Sequence, residues 1–181
     1  MDVIEIKIGA EKMFKAGVRD LLGAPVDAIV NPANAGLSHG AGLAGIISDE
    51  AGPEMDAECD KIIARVGQIP TTYAVPTRAG NLPFKGLIHA VGPRMGSGDE
   101  QQRIEATIAN VLKVADKKGW TSVAFPAIST GIFGIPKEVC AAAFKNAVPA
   151  YWEINAGSNI TLVWLCLTTD DVDAFEEVLS S

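Results

Sequence analysis

Short apolar runs alternate with longer segments of helical periodicity along almost the whole sequence. Residues 160–167 form a strongly apolar run, and residues 100–118 form the longest helical pattern, with Ile104, Ile108 and Val111 on one face. This alternation favours a mostly parallel sheet with helices on both faces. We therefore expect a three-layer α/β/α sandwich with a mixed, mostly parallel central sheet and the N-terminal strands toward an edge.

The boundaries of the elements follow from glycine, proline and the apolar period. Strands are predicted at residues 3–8, 28–30, 72–76, 87–91, 122–125 and 160–167, and helices at residues 43–50, 54–66, 100–118, from Pro136 onward and at 172–179. No repeat, low-complexity tract or linker divides the 181 residues, so we expect one domain that spans residues 1–181 and acts as a monomer.

Charge and cysteine usage exclude several classes of function. A net charge of −7 and a pI near 4.8 disfavour nucleic-acid binding, because an acidic surface repels a phosphate backbone. Cys59, Cys140 and Cys166 stand far apart without a CxxC pair, and only two histidines accompany them. We predict free core thiols, no metal site and no cofactor.

The N-terminus carries charge where a secretion signal needs an apolar stretch, and no run approaches the ~20 apolar residues of a membrane span. We therefore expect no membrane contact and a cytoplasmic location.

Two glycine-containing loops follow predicted strands and precede predicted helices. The first, residues 34–42, reads NAGLSHGAG, and the second, residues 129–134, reads STGIFG. Glycine lets the backbone approach a ligand, and a helix N-terminus offers unpaired amides and a positive dipole end, so each loop suits a phosphate without lysine or arginine. Ordinary tight turns explain the first loop about as well. In the second, Phe133 would be exposed unless it folds back on the core or packs on a ligand.

Since ligands of parallel sheets bind outside the carboxyl ends of the strands, the two loops together suggest a diphosphate held between them. Residues 92–98 leave a third strand at the same edge. Neither loop matches GxxxxGK[ST] or a clean GxGxxG, which argues against a nucleotide triphosphatase and a nicotinamide-dinucleotide enzyme.

Four segments resemble the signature segments of macro domains in order and spacing. They are residues 27–34 (DAIVNPAN), 37–43 (LSHGAGL), 87–93 (LIHAVGP) and 124–134 (AFPAISTGIFG). The resemblance runs from about residue 17 to the C-terminus. Residues 54–86 are most similar to macro domains found beside ADP-ribosyltransferase domains and to viral ones. The resemblance implies a module that binds ADP-ribose or ADP-ribosylated protein.

The same resemblance implies a role for individual residues. At the adenine end, Asp20 would accept from the adenine amino group, Leu21 would donate its backbone amide, and Leu167 would pack on the base. Asn34 would contact the distal ribose. The first phosphate loop would comprise Gly40, Ala41, Gly42 and Leu43, and the second Ser129, Thr130, Gly131, Ile132 and Phe133, with Phe133 along the distal ribose.

Three positions depart from the family pattern. Arg19 replaces a usual Gly before Asp20, and Ala41 replaces a customary Gly in the first loop. Ala44 stands where one hydrolase branch has an Asp that helps to activate water, so that arrangement is absent.

The polar side chains expected at the distal ribose are therefore Asn34 and His39. His39 would orient the ribose or act as a general base near its ordinary pKa of ~6.5, or it would only bond the loop backbone. His89 falls inside a strand pattern and is predicted to be a core residue.

Two functions stay open. The first is a hydrolase of ADP-ribosyl esters, on acidic side chains or on O-acetyl-ADP-ribose. The second is a reader that binds free or protein-linked ADP-ribose without cleaving it. His39 favours the first and Ala44 the second. A scaffold with a degenerate cleft is disfavoured because Asp20, Asn34 and Phe133 are all present.

Overall fold

The computed structural model describes residues 3–181 and has one mixed, seven-stranded sheet at its centre. The strands are β1 (Ile4–Ile8), β2 (Lys12–Val18), β3 (Ala28–Ala33), β4 (Ala74–Thr77), β5 (Gly86–Val91), β6 (Ser122–Phe125) and β7 (Leu162–Leu167). Their order across the sheet is β1-β2-β7-β6-β3-β5-β4. The five central strands, which are β2, β7, β6, β3 and β5 in spatial order, run parallel. An antiparallel strand pairs at each edge of the sheet, β1 with β2 and β4 with β5.

Helices cover both faces of the sheet. They are α1 (Gly42–Ala51), α2 (Pro53–Val66), α3 (Glu100–Lys117), α4 (Lys137–Ile154) and α5 (Val172–Ser180), and a 3₁₀ helix spans Leu21–Gly23. One core contains Ile108 of α3, Phe144 of α4 and Phe175 of α5, packed on the sheet. The other contains Ile47 of α1 and Met55 of α2. The sheet therefore lies between two separate apolar layers, which confirms the predicted three-layer sandwich.

The sequence pattern missed one strand. No element was predicted between residues 9 and 27, yet β2 pairs with β7 from Met13 to Val18 and carries β1 on its other side. Two lysines and Gly17 interrupt the apolar alternation of this segment. Phe14 and Ala16 are nonetheless buried, because the helices on that face of the sheet cover them. The β1–β2 hairpin lies at the edge of the sheet, as expected.

The other elements agree with the prediction within two residues at each end, except β3, which continues to Ala33, three residues past the predicted end at residue 30. In residues 3–181 no helix combines the length and apolar character needed to cross a bilayer.

Candidate functional site

A cleft of about 750 Å³ opens at the edge of the sheet where the parallel strands end. Its walls come from the segments that follow β2, β3, β5, β6 and β7, at positions 19–21, 34–44, 92–94, 126–133 and 168–171. Because all five strands run in the same direction, their carboxyl ends bring these segments to one place. The cleft therefore lies where the sequence predicted a ligand.

The first loop leads from β3 into the N-terminus of α1 and forms one wall. In the described part of the chain, no side chain caps the first amides of α1, whose N-cap is Ala41. Gly42 has a φ of 60°, a conformation that favours glycine, and a Cβ there would meet nothing within 4 Å. Free amides at the positive end of a helix next to a cleft are suited to an anion.

Asn34 fixes the shape of this loop. Its Oδ1 accepts from the backbone amide of Ser38 at 3.0 Å, and its Nδ2 donates to the Ser38 carbonyl at 2.8 Å and to the Ser38 hydroxyl at 3.1 Å. Both residues line the cleft. Asn34 therefore holds the loop in place as well as presenting polar atoms to the cleft.

Ser129 in the second loop combines an unusual backbone with an unpaired hydroxyl. Its φ is 67°, in the left-handed region, and its side chain is buried. Within residues 3–181 its Oγ has no hydrogen-bond partner. Gly92 lies against it, and a Cβ on Gly92 would come within 2.2 Å of that oxygen. The missing side chain of Gly92 thus makes room for a hydroxyl at the cleft wall.

Phe133 does not fold back into the core. Its half-buried ring lies under the guanidinium of Arg94 at 4.2 Å, and both residues line the cleft. The neighbouring side chain of Ile132 is 81% exposed. Because Arg94 also brings a positive charge to the cleft, this end combines an aromatic face with a cation.

Asp20, Leu21 and Leu167 line the end of the cleft next to β2 and β7, on the other side of the sheet from β5. Asp20 is exposed, and its Oδ1 accepts from the Leu22 amide at 3.1 Å, which caps the 3₁₀ helix. Arg19 stacks its guanidinium on Trp164 at 4.4 Å. The departure at position 19 therefore adds a held positive charge beside Asp20.

His39 lies elsewhere. It is absent from the residues that line the cleft in the described chain, although Ser38 and Gly40 on either side are present. The amide of Asn31 donates to its Nδ1 at 3.2 Å, and its Nε2 is 3.5 Å from Sγ of Cys59. This placement disagrees with the expectation that His39 faces the ligand, because both ring nitrogens are engaged behind the loop.

His89 is buried beside it, as predicted for a core residue. The rings of His39 and His89 stack with centroids 5.3 Å apart, and Asn31 also donates to Nδ1 of His89 at 3.0 Å. Burial lowers the pKa of His39 below its ordinary value. The nearby carboxylates of Asp56 and Asp60 raise this pKa, but by less than burial lowers it. Burial and the neighbouring His39 lower the pKa of His89 to about 3. Burial therefore favours the neutral form of both rings.

Every other residue predicted for ligand binding lines the cleft. These are Asp20, Leu21, Asn34, Gly40, Ala41, Gly42, Leu43, Ser129, Thr130, Gly131, Ile132, Phe133 and Leu167. The sequence did not identify Arg94, Ser38, Thr168 or Asp171 as lining residues. Arg94 could have been found, because it directly follows the Gly-Pro pair that ends β5.

The chain is similar to several known proteins. A family model described as Macro domain matches residues 30–144. An O-acetyl-ADP-ribose deacetylase of Escherichia fergusonii is 45% identical over 124 residues, which are 67% of this chain and 70% of that protein. The human protein mono-ADP-ribosyltransferase PARP14 is 36% identical over 168 residues, 90% of this chain and 9% of that protein. The solved structure of an Oceanobacillus iheyensis macrodomain with ADP superposes with a TM-score of 0.90 and 27% identity, covering 98% of this chain and 95% of the other.

Proposed function

This chain belongs to the macro domain family, and we propose that it binds ADP-ribose and hydrolyses ADP-ribosyl esters, on mono-ADP-ribosylated acidic side chains or in O-acetyl-ADP-ribose. One observation carries the proposal. Two glycine loops face a single cleft, and one of them ends at the uncapped N-terminus of α1. A diphosphate is the group that such a cleft holds without a lysine. The similar deacetylase and the similar macrodomain with ADP support the same ligand class.

The residues along the cleft support one orientation of the ligand. Adenine belongs at the end of Asp20, where the exposed carboxylate accepts from the exocyclic amine and Leu21 and Leu167 supply apolar surface. We place the distal ribose between Asn34 and Phe133, which both line the cleft. The diphosphate then lies between residues 40–43 and residues 129–133.

The proposed hydrolysis adds water to the ester. The water oxygen attacks the acyl carbon and the ester bond to the ribose oxygen breaks. One proton of the water passes to the ribose oxygen and the other to solvent, so that a carboxylate and ADP-ribose leave. A water held on the bound diphosphate needs only to be positioned, and positioning contributes several kcal/mol to lowering a barrier. Asn34 is the side chain we assign to orienting the ribose. His39 enters as a positioning residue, because its bonds to Asn31 and Cys59 hold the first loop.

A non-catalytic reader is the alternative function. Ala44 lines the cleft where the hydrolase branch that uses an Asp would place its carboxylate, and His39 points away from the cleft. Within residues 3–181, neither position 44 nor position 39 then supplies a general base at the ribose end. Affinity without turnover would be the outcome for such a protein.

Two measurements on the same preparation separate these functions. The first is release of acetate from O-acetyl-ADP-ribose and of ADP-ribose from glutamate-ADP-ribosylated protein. The second is the dissociation constant of free ADP-ribose by titration calorimetry. Release above buffer supports the hydrolase; binding without release supports the reader. Absence of both would refute the whole proposal.

Three variants test the assignments. Gly42→Val should abolish binding, because the valine side chain would project from the cleft wall into the place proposed for the diphosphate. Gly67→Val is the matched control, since Gly67 also has a positive φ and open space but caps α2 outside the cleft. Asn34→Ala should reduce both affinity and rate. His39→Ala should reduce both by a similar factor if the residue only positions the loop, whereas a loss of ~10²–10⁴ in rate alone would make it a general base.

We also propose that the chain acts as a monomer in the cytoplasm. Its three cysteines are buried free thiols, which is typical of a reducing compartment. Sedimentation of the purified protein tests the oligomeric state.

A further inference from the structure

Three side chains that can ligate a metal ion meet behind the first loop. His39 comes from that loop, Cys59 from α2 and His89 from β5. The Nε2 atoms of His39 and His89 lie 3.5 Å and 3.7 Å from Sγ of Cys59, and the three ligand atoms all lie within 4.8 Å of one another. Zinc bonds of ~2.3 Å to sulfur and ~2.0–2.1 Å to nitrogen at a tetrahedral angle separate those atoms by about 3.5 Å.

We propose that His39, Cys59 and His89 form a binding site for one Zn²⁺ ion, with the fourth position open to water. Two imidazole nitrogens and one thiolate are a donor set that suits Zn²⁺ and disfavours Mg²⁺ or Ca²⁺, which prefer oxygen. Cys59 and His89 are buried and His39 is half-buried, so an ion reaches the site beside His39. The carboxylates of Asp56 and Asp60 act on both His39 and Cys59 and add a negative potential that favours a cation.

Asn31 can serve both the empty and the occupied site. Its fully buried Nδ2 donates to Nδ1 of both histidines, and its Oδ1 has no partner in the described chain. Turning the amide over places Oδ1 between the two Nδ1 atoms, where it accepts from both N–H groups and frees both Nε2 lone pairs for the ion. An outer partner that fixes the tautomer in this way is usual for zinc-binding histidines. The cost of leaving Nδ2 unpaired is small against the metal bonds.

Ion binding has a defined proton balance. The Cys59 thiol loses its proton to solvent when sulfur bonds the ion, while both histidines bind as neutral rings. Thr77, whose Oγ1 lies 2.8 Å from Nε2 of His89, gives up that contact. One proton is therefore released per ion bound.

The site lies outside the cleft, since none of its three residues is among those that line it. An ion there would join the first loop to α2 and β5 and thereby stiffen the wall that carries Asn34. The ion would restrain the first loop, and Zn²⁺ binding should not require ADP-ribose. Ion binding at this site can therefore be measured separately from ADP-ribose binding in the cleft.

The test uses the full chain without a histidine tag, freed of metal with a chelator. Zn²⁺ alone is titrated by calorimetry in two buffers of different ionisation enthalpy, and Co²⁺ alone is followed by absorption. We expect one Zn²⁺ and one released proton per chain, a thiolate-to-cobalt charge-transfer band, and a melting temperature raised by several degrees.

Cys59→Ser and His39→Gln should each weaken Zn²⁺ by at least ~100-fold, and Cys59→Ser should also remove the charge-transfer band. Cys140→Ser is the matched control, because Cys140 is equally buried but its thiol donates to the Ile128 carbonyl. Circular dichroism of each variant verifies the fold. If Cys59→Ser fails to fold, His39→Gln still tests the site, because it alters only a half-buried side chain. The proposal is overturned if the wild type gives no charge-transfer band, or if the folded variants bind Zn²⁺ as tightly as it does; the three residues are then a hydrogen-bonded cluster only.

Discussion

A single methyl group added at Gly92 should displace the hydroxyl of Ser129 and thereby weaken ligand binding. The added Cβ would lie 2.2 Å from Ser129 Oγ, whereas ordinary contact begins at about 3.4 Å. The φ of Gly92 lies outside the left-handed region, so alanine suits the backbone and the clash falls on the serine. The hydroxyl must move by roughly 1 Å or rotate to another staggered position.

The expected magnitude follows from what the hydroxyl does. The buried oxygen has no partner in residues 3–181, and Ser129 lines the cleft, so we expect a charged phosphate oxygen of the bound ligand to accept from it. Such a hydrogen bond contributes about 1.5–3 kcal/mol, or roughly a 10- to 100-fold change in the dissociation constant. Gly92→Ala and Ser129→Ala should each weaken ADP-ribose by that factor. Ser129→Ala should leave the free energy of unfolding unchanged or slightly raised, because it removes a buried unpaired oxygen.

Titration calorimetry on four proteins tests this explanation: the wild type, both single variants and the double variant Gly92→Ala/Ser129→Ala. Since an alanine at 129 has no oxygen for the new methyl to meet, the double variant should bind as Ser129→Ala does. A second full loss of affinity in the double variant would refute the reasoning, because the methyl would then act on something other than the hydroxyl.

Gly80→Ala should cost at least ~2 kcal/mol of unfolding free energy in urea, because its φ is 59° and a Cβ would meet the Ala51 carbonyl at 2.0 Å. Gly67→Ala, with a positive φ but open space, should cost only ~1 kcal/mol, and equal costs would contradict the clash. Burial alone would raise the pKa of Asp27, but hydrogen bonds from a backbone amide and a lysine outweigh it and lower that pKa. Its stabilisation is therefore present above the unfolded pKa of ~3.9 and lost as pH falls through the lower folded value, so Asp27→Asn should flatten acid unfolding between those values and leave its slope elsewhere unchanged. Asp20→Ala should weaken ADP-ribose by ~10- to 100-fold in calorimetry, and an inosine analogue should lose much of the same energy with the wild type; unchanged affinity would place adenine elsewhere.

The sheet and both loops could be predicted from the sequence because their signals are local. An apolar run followed by glycines predicts a strand and the turn after it from local sequence alone. Because the strands are parallel, these turns then meet at one edge of the sheet. Strand β2 was not predicted because its side chains are buried by other elements. Phe14 and Ala16 are buried by the helices that cover the sheet, and no local alternation records that contact.

The direction of His39 could not be predicted for the same reason. A loop histidine can face the cleft or the interior, and the choice is made by Asn31 and by Cys59, which is 20 residues further along the chain. His89 lies 30 residues beyond Cys59. Such distant spacings matched no metal motif, so the prediction of no metal site rested on distance along the chain, whereas these three residues meet in space.

The arrangement of the cleft also determines which sequence changes the protein can accept. Each wall segment begins where a different parallel strand ends, and the strands themselves are held by two apolar layers beyond the cleft. A substitution at residues 19–21 would alter the side of the cleft proposed for adenine, and one at residues 129–133 would alter the second loop. Neither segment takes part in the pairing of the strands. Ligand preference can therefore change at the exposed positions of these segments with little effect on the packing of the sheet. Loops supported separately by a rigid sheet allow a binding site to diversify without loss of the fold.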